Sequence, residues 1–126
     1  MKRFVLGLVL LCLTLGSCLW VSQSMARTHG PISEKLHEAQ SLALEGEQLK
    51  GVAAARQARQ LWQKSWELTA AVVDHAPMDE IDGLFAQMES YARGDSSVEF
   101  AGICARLAEL IDAVAEANSF AWWSFL

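Results

Sequence analysis

Apolar side chains are arranged along this chain in two ways, first as one unbroken block and then as stripes. No charged residue occurs from Phe4 to Ser22, and a helix of about 19 residues rises about 28 Å, close to the hydrocarbon thickness of a bilayer. Seven leucines, three valines and Phe4 each favour insertion by roughly 0.3 to 0.6 kcal/mol at central positions, and their sum of about 3 to 6 kcal/mol outweighs Gly7, Thr14, Gly16 and Ser17. Lys2 and Arg3 precede the block and Trp20 stands near its far end. This asymmetry predicts a single pass through the cytoplasmic membrane, with residues 1–3 a basic stub inside, residues 4–22 the span and the rest of the chain outside. Three fates compete for the segment. Retention as a signal anchor is favoured by the apolar run continuing through Leu19, Trp20 and Val21. Leu15-Gly16-Ser17-Cys18 has the small residues of a lipobox, which would make an exported lipoprotein lipidated at Cys18. Ser24-Met25-Ala26 has the small-x-small pattern of an ordinary cleavage site. All three export the remaining chain.

Beyond the block the apolar positions recur with helical period. Gly30-Pro31 predicts a break, making residues 23–32 a juxtamembrane linker, and Ser33 is placed to cap a helix running to about Lys50. Ile32, Leu36, Ala39 and Ala43 hold its face, while Gly46 and Gly51 loosen its end and Glu45 and Glu47 keep it wet, so part of it reads as a stalk. A second helix, from about Val52 to Asp74, carries Ala55, Ala58, Trp62, Thr69 and Val73 on one flank, with Trp66 one turn after Trp62. Ala76-Pro77 ends it, because proline lacks a donor and disfavours helix for the residue before it. Asp79 caps a third helix with Ile81, Leu84, Phe85, Met88 and Tyr91 in stripe positions, closed by Arg93 and Gly94. Ser96 and Glu99 make a capping-box pattern ahead of Phe100, Ile103, Cys104, Leu107, Leu110, Ile111 and Val114, the clearest stripe in the chain. On its other face Arg106 and Glu109 are spaced to pair. The predicted fold is all-α: one N-terminal transmembrane or signal-anchor helix, then a bundle of three to four antiparallel helices over residues 33–126. Trp62, Trp66, Phe85, Tyr91, Phe100 and Leu107 form its expected core.

Composition narrows the partners more than the fold. Beyond Ser22 the chain has eight basic against fifteen acidic side chains, a net of −7 where the whole chain carries −5. This balance argues against nucleic acid and anionic headgroups as partners. Cys12 and Cys18 lie within the apolar block and only Cys104 beyond it, so no intrachain disulfide can staple the domain, and Cys104, on a stripe, is expected to be a buried thiol.

Chemistry is scarce. Asp74, His75, Asp79 and Asp82 could gather near Pro77 as a base or a hard-metal patch. Their spacing lacks the alternating oxygens of a calcium loop, and helix ends explain the residues more simply, His75 closing one helix and Asp79 opening the next. Glu109, Asp112 and Glu116 line one helical face without a cleft to separate their pKa values. His29 and His37 have no zinc ligand at the right spacing, and no phosphate loop, serine elbow or HExxH occurs. The expectation is no enzyme, no cofactor and no metal.

Two surfaces remain for partners. The polar face of the second helix, with Arg56, Arg59 and Lys64, reads as solvated or as a docking stripe. Phe120-Ala121-Trp122-Trp123-Ser124-Phe125-Leu126 places four aromatics at the chain end. Trp122, Trp123, Phe125 and Leu126 would fold back on the core, lie among headgroups, or fill a groove in another protein.

The spanning segment, the alanine-rich helix with Trp66, then Asp74-His75, Asp79, Ile81, Leu84, Tyr91, Asp95 and Phe100, and the leucine-spaced last helix together resemble the bacterial domain-of-unknown-function family numbered 4363. The resemblance covers nearly the whole chain through scattered positions and element lengths, and implies a small membrane-anchored helical protein without supplying an activity. Family chains tend to finish with Asn, then Ile or Leu, then Leu; this one departs with Ser124-Phe125-Leu126. The expected role is a non-enzymatic interaction or scaffold module for a membrane or envelope protein, with self-association a further option. The alternative is a bundle that holds a small apolar ligand among Trp62, Trp66 and Tyr91.

Overall fold

The computed structural model describes residues 1–71 and 73–124, with the side chains of residues 25 and 118–124 outside the description. Among these residues there are four α-helices and no strand: α1 Lys2–Leu44, α2 Gln48–Ala70, α3 His75–Ala92 and α4 Ser97–Ser124. The chain is all-α.

α1 runs through Gly30 and Pro31 without interruption, so neither the predicted linker over 23–32 nor a cap at Ser33 exists. An interior proline costs a helix about 3 kcal/mol. Here Pro31 lies on the exposed side, while His29, Ile32 and Leu36 are fully buried. Ile32 and Leu36 alone return roughly 1.5 to 3 kcal/mol each on burial, which is enough to carry the helix through. The bundle therefore begins within α1 at about His29, ahead of the boundary expected at residue 33, and there is no stalk.

α1 stops at Leu44, six residues before Lys50, because Gly46 takes a left-handed conformation with φ +86°. The Gly46 N–H donates to the Ala43 carbonyl at 3.3 Å and the Glu47 N–H to the Leu42 carbonyl at 2.9 Å, the two bonds of a Schellman motif. α2 then returns along α1 at close range. A Cβ on Gly51 would stand 2.9 Å from the Ala39 carbonyl oxygen, so this glycine sets the approach of two backbones. Ala39, Ala43, Ala54, Ala55 and Ala58 continue the seam, all buried.

α2 ends at Ala70, and α3 opens at His75 with Asp74 extended before it as N-cap, without a side-chain cap bond. Pro77 thus sits in the first turn of α3, where its missing N–H would have no intrahelical acceptor. His75 opens a helix rather than closing one, and Asp79 lies one turn in rather than at the cap. At the next junction the Glu99 N–H donates to Ser96 Oγ at 3.4 Å, one half of the expected capping box.

Each helix packs on its neighbours in chain order, and α4 closes the ring against α1 in the most extensive pairing of the bundle; α2 against α3 is the loosest. Trp62, Phe85, Phe100 and Leu107 are core, as expected. Tyr91 is half-buried, its hydroxyl accepting from Gln87 Nε2 at 3.2 Å. Trp66 is a correction: it is 38% exposed, because four residues advance about 40° past a full turn, toward the corner α3 leaves open. Cys104 is buried, and burial pushes its thiol up to about 12. Arg106 reaches across to Glu80 at 3.5 Å, where pairing with Glu109 was expected.

Candidate functional site

The loose α2–α3 corner is bridged by polar contacts instead of packed carbon. Arg56 binds Glu89 in fork geometry, Nε to Oε1 at 3.2 Å and Nη2 to Oε2 at 3.3 Å, and Arg59 Nη1 approaches the same carboxylate at 3.8 Å. Two turns away along α3, Asp82 takes two indoles: Trp62 Nε1 donates to Oδ1 at 2.7 Å and Trp66 Nε1 to Oδ2 at 3.3 Å. Gln48 Nε2 donates to the Gly94 carbonyl at 3.2 Å at the far end.

The Asp82 bridge crosses a groove of about 430 Å³ lined by Arg59, Trp62, Gln63, Trp66, Glu67, Asp82 and Phe85. Its floor is the edge of Trp62 and Phe85, both 1% exposed, and its wall is the half-covered Trp66. Behind the floor, His29 meets Trp62 edge to face, the ring centroids 6.0 Å apart. The buried Ser65 and Thr69 hydroxyls donate back to the Trp62 and Ser65 carbonyls of their own helix, leaving the groove without a nucleophile aimed into it. An aromatic wall between opposite charges suits binding.

The structure separates the residues singled out for chemistry. Asp74, His75 and Asp79 are exposed along the start of α3, while Asp82 is committed to the indoles. Among the described residues no three His, Cys, Asp or Glu side chains stand close enough to hold a metal ion. Of the expected docking stripe, Arg56 and Arg59 are turned to Glu89 and Lys64 is exposed. The side chains of Trp122 and Trp123, and Phe125 and Leu126 altogether, lie outside the described residues. Tyr91 is absent from the groove lining, so the ligand cage expected from Trp62, Trp66 and Tyr91 does not form. Asp82 as the shared acceptor was missed. The available signal was that a core indole N–H needs an acceptor, and the acids of α3 were the nearest supply.

The first half of α1 is the second feature that the bundle does not absorb. Phe4, Leu6, Leu8, Leu10, Leu13 and Trp20 are all more than half exposed, and the helix is long and apolar enough to cross a membrane.

No curated protein and no solved structure matches the chain. The family model described as Domain of unknown function (DUF4363) matches residues 19–123, which takes in the end of the apolar block and all of the bundle. The chain belongs to the DUF4363 family.

Proposed function

We propose that the protein is a non-enzymatic interaction module, held at the outer face of the cytoplasmic membrane by residues 4–22 with its N-terminus inside, presenting the bundle to a membrane or envelope protein. The observation that carries this reading is the double use of α1, an exposed apolar rod through its first half and a core helix of the bundle from His29 onward. Tether and domain are one piece of secondary structure, so the bundle is held in a fixed relation to the bilayer. Lys2 and Arg3 favour the inside for the N-terminus. The open α2–α3 corner, where Trp66 is 38% exposed beside Arg59, Gln63 and Glu67, is the face offered to a partner.

A photo-crosslinking residue at Gln63, activated in intact cells, tests this directly. The expected product is a reproducible adduct with one membrane or envelope protein; only uncrosslinked monomer, or digestion of the bundle by a cytosolic protease alone, sinks the reading. An adduct with a second copy of the chain would make the partner the protein itself. The mass of the mature chain decides among a retained span, a cut after Ala26 and lipidation of Cys18.

A second reading rests on the groove, whose volume of about 430 Å³ lies within the roughly 300 to 1,000 Å³ of small-molecule sites. It takes a small ligand against Trp66 and Phe85. Native mass spectrometry showing no retained ligand, with Trp66 emission unmoved by cell extract, would dispose of it.

A further inference from the structure

Charge is sorted along the α2–α3 corner. At the end nearer Gly94, Arg56 and Arg59 share the carboxylate of Glu89, which leaves a surplus of positive charge. Toward Ala70 the sign reverses: Glu67 of α2 and Asp82 of α3 line the groove, and Asp79 stands exposed one turn before Asp82. Among the described residues neither Glu67 nor Asp82 enters an ion pair. Asp82 accepts one indole N–H on each oxygen, and because a carboxylate has about four acceptor sites, roughly half of them stay open.

Trp66 shares the groove with these acids. Indole is a donor only, and in Trp66 that donor is committed to Asp82, so the 38% of the residue left exposed has a π surface to offer. The carboxylate on its N–H polarises the ring, which strengthens the attraction of its face for a cation. An anion would meet two carboxylates here, and a neutral apolar group would strip water from both without replacing it. A guanidinium meets every requirement: it is planar, stacks on aromatic faces and forks onto carboxylates. The same corner already holds such a fork in Arg56 on Glu89.

We propose that the groove beside Trp66 receives an arginine side chain of the partner protein, its guanidinium stacked on Trp66 and hydrogen-bonded to the open oxygens of Asp82 and Glu67. Resting on the interaction-module reading above, this site supplies the chemistry by which the corner recognises its partner. The net charge of −7 beyond Ser22 draws a basic partner toward it at longer range.

The test titrates the full chain, in uncharged maltoside micelles at low salt, with the end-blocked peptide Gly-Arg-Gly and with its citrulline counterpart, whose urea keeps the shape of guanidinium and loses its charge. Nuclear magnetic resonance of the indole N–H groups reads the response. The arginine peptide is expected to shift the Trp66 signal saturably at millimolar concentration, and the citrulline peptide to leave it in place. Read at Trp62, Trp66→Leu should weaken binding about two- to fivefold and the exposed Glu67→Gln about threefold; Glu67→Gln alone serves if Trp66→Leu unfolds the chain. Arg59→Gln, which removes a like charge from the groove, should tighten binding, and Glu109→Gln on α4 should leave it unchanged. An equal response to citrulline, no shift of Trp66, or weaker binding by Arg59→Gln overturns the proposal. In cells, the adduct formed from a photo-crosslinking residue at Gln63 should carry an arginine in the attached segment and fall with Glu67→Gln. An adduct indifferent to Glu67→Gln and Trp66→Leu keeps the module and overturns the arginine site. If the peptide response holds but no adduct forms, the groove takes a free organic cation and the partner's side chain is overturned together with the module.

Discussion

The two sides of α2 are built on opposite principles. Toward α1 it presents glycine and alanine, and the backbones come so close that Gly51 has no room for a methyl group. Toward α3 it presents Arg56, Arg59, Trp62 and Trp66, which hold Glu89 and Asp82 across a gap. The first seam is fixed by shape and excludes water; the second is fixed by directional bonds and leaves a groove. A bundle this small gains most of its stability from buried apolar area, so a loosely closed corner weakens the fold, and it is there that a binding surface is most reasonably sought.

Single substitutions can break or sharpen that contrast. Trp62→Ala should cost about 3 to 5 kcal/mol in a denaturant melt, whereas Trp66→Ala, one turn away but 38% exposed, should cost about 1 to 2 kcal/mol. Equal losses would mean the corner is as closed as the rest of the core. Gly51→Val tests the tight seam. The new side chain meets the Ala39 carbonyl, and overpacking by about 1 to 3 kcal/mol should exceed the helix-propensity gain of a few tenths; a raised melting temperature would show that α1 and α2 can part freely. Asp82→Ala leaves the buried Trp62 N–H without its acceptor, at about 1 to 3 kcal/mol, and should make Trp66 emission redder and more open to acrylamide. Asp82→Asn, which keeps an acceptor oxygen, should lose less of both. The smallest effect is expected from Arg56→Ala, below about 1 kcal/mol and smaller still at high salt, because the guanidinium is 54% exposed and the ion pair is screened.

The stripes of α3 and α4 were legible because each is a local signal: Ile81, Phe85 and Met88, or Phe100, Cys104, Leu107 and Ile111, repeat at helical spacing whatever lies opposite. The apolar block of α1 was legible for the same reason. Helix limits were read less well. Gly30-Pro31 and Ala76-Pro77 look alike as breaks, but one falls between His29 on one side and Ile32 and Leu36 on the other, all buried, and the other in a first turn that tolerates proline. Trp66 was misplaced because spacing cannot show how far a neighbouring helix extends its cover. The candidate site was least legible, since Trp62 to Asp82 and Arg56 to Glu89 join residues 20 and 33 positions apart, and which acid meets which donor depends on a register that no local pattern encodes.

The unbroken course of α1 also decides how the protein survives trimming. The first fully buried side chain of the described part of that helix is His29, so a peptidase cutting before Cys18 or after Ala26 removes apolar rod and leaves the packed layers complete. An expression fragment begun at Ser33 would instead discard His29 and Ile32, opening a hole beneath Trp62, and should emerge as an aggregating or partly molten product.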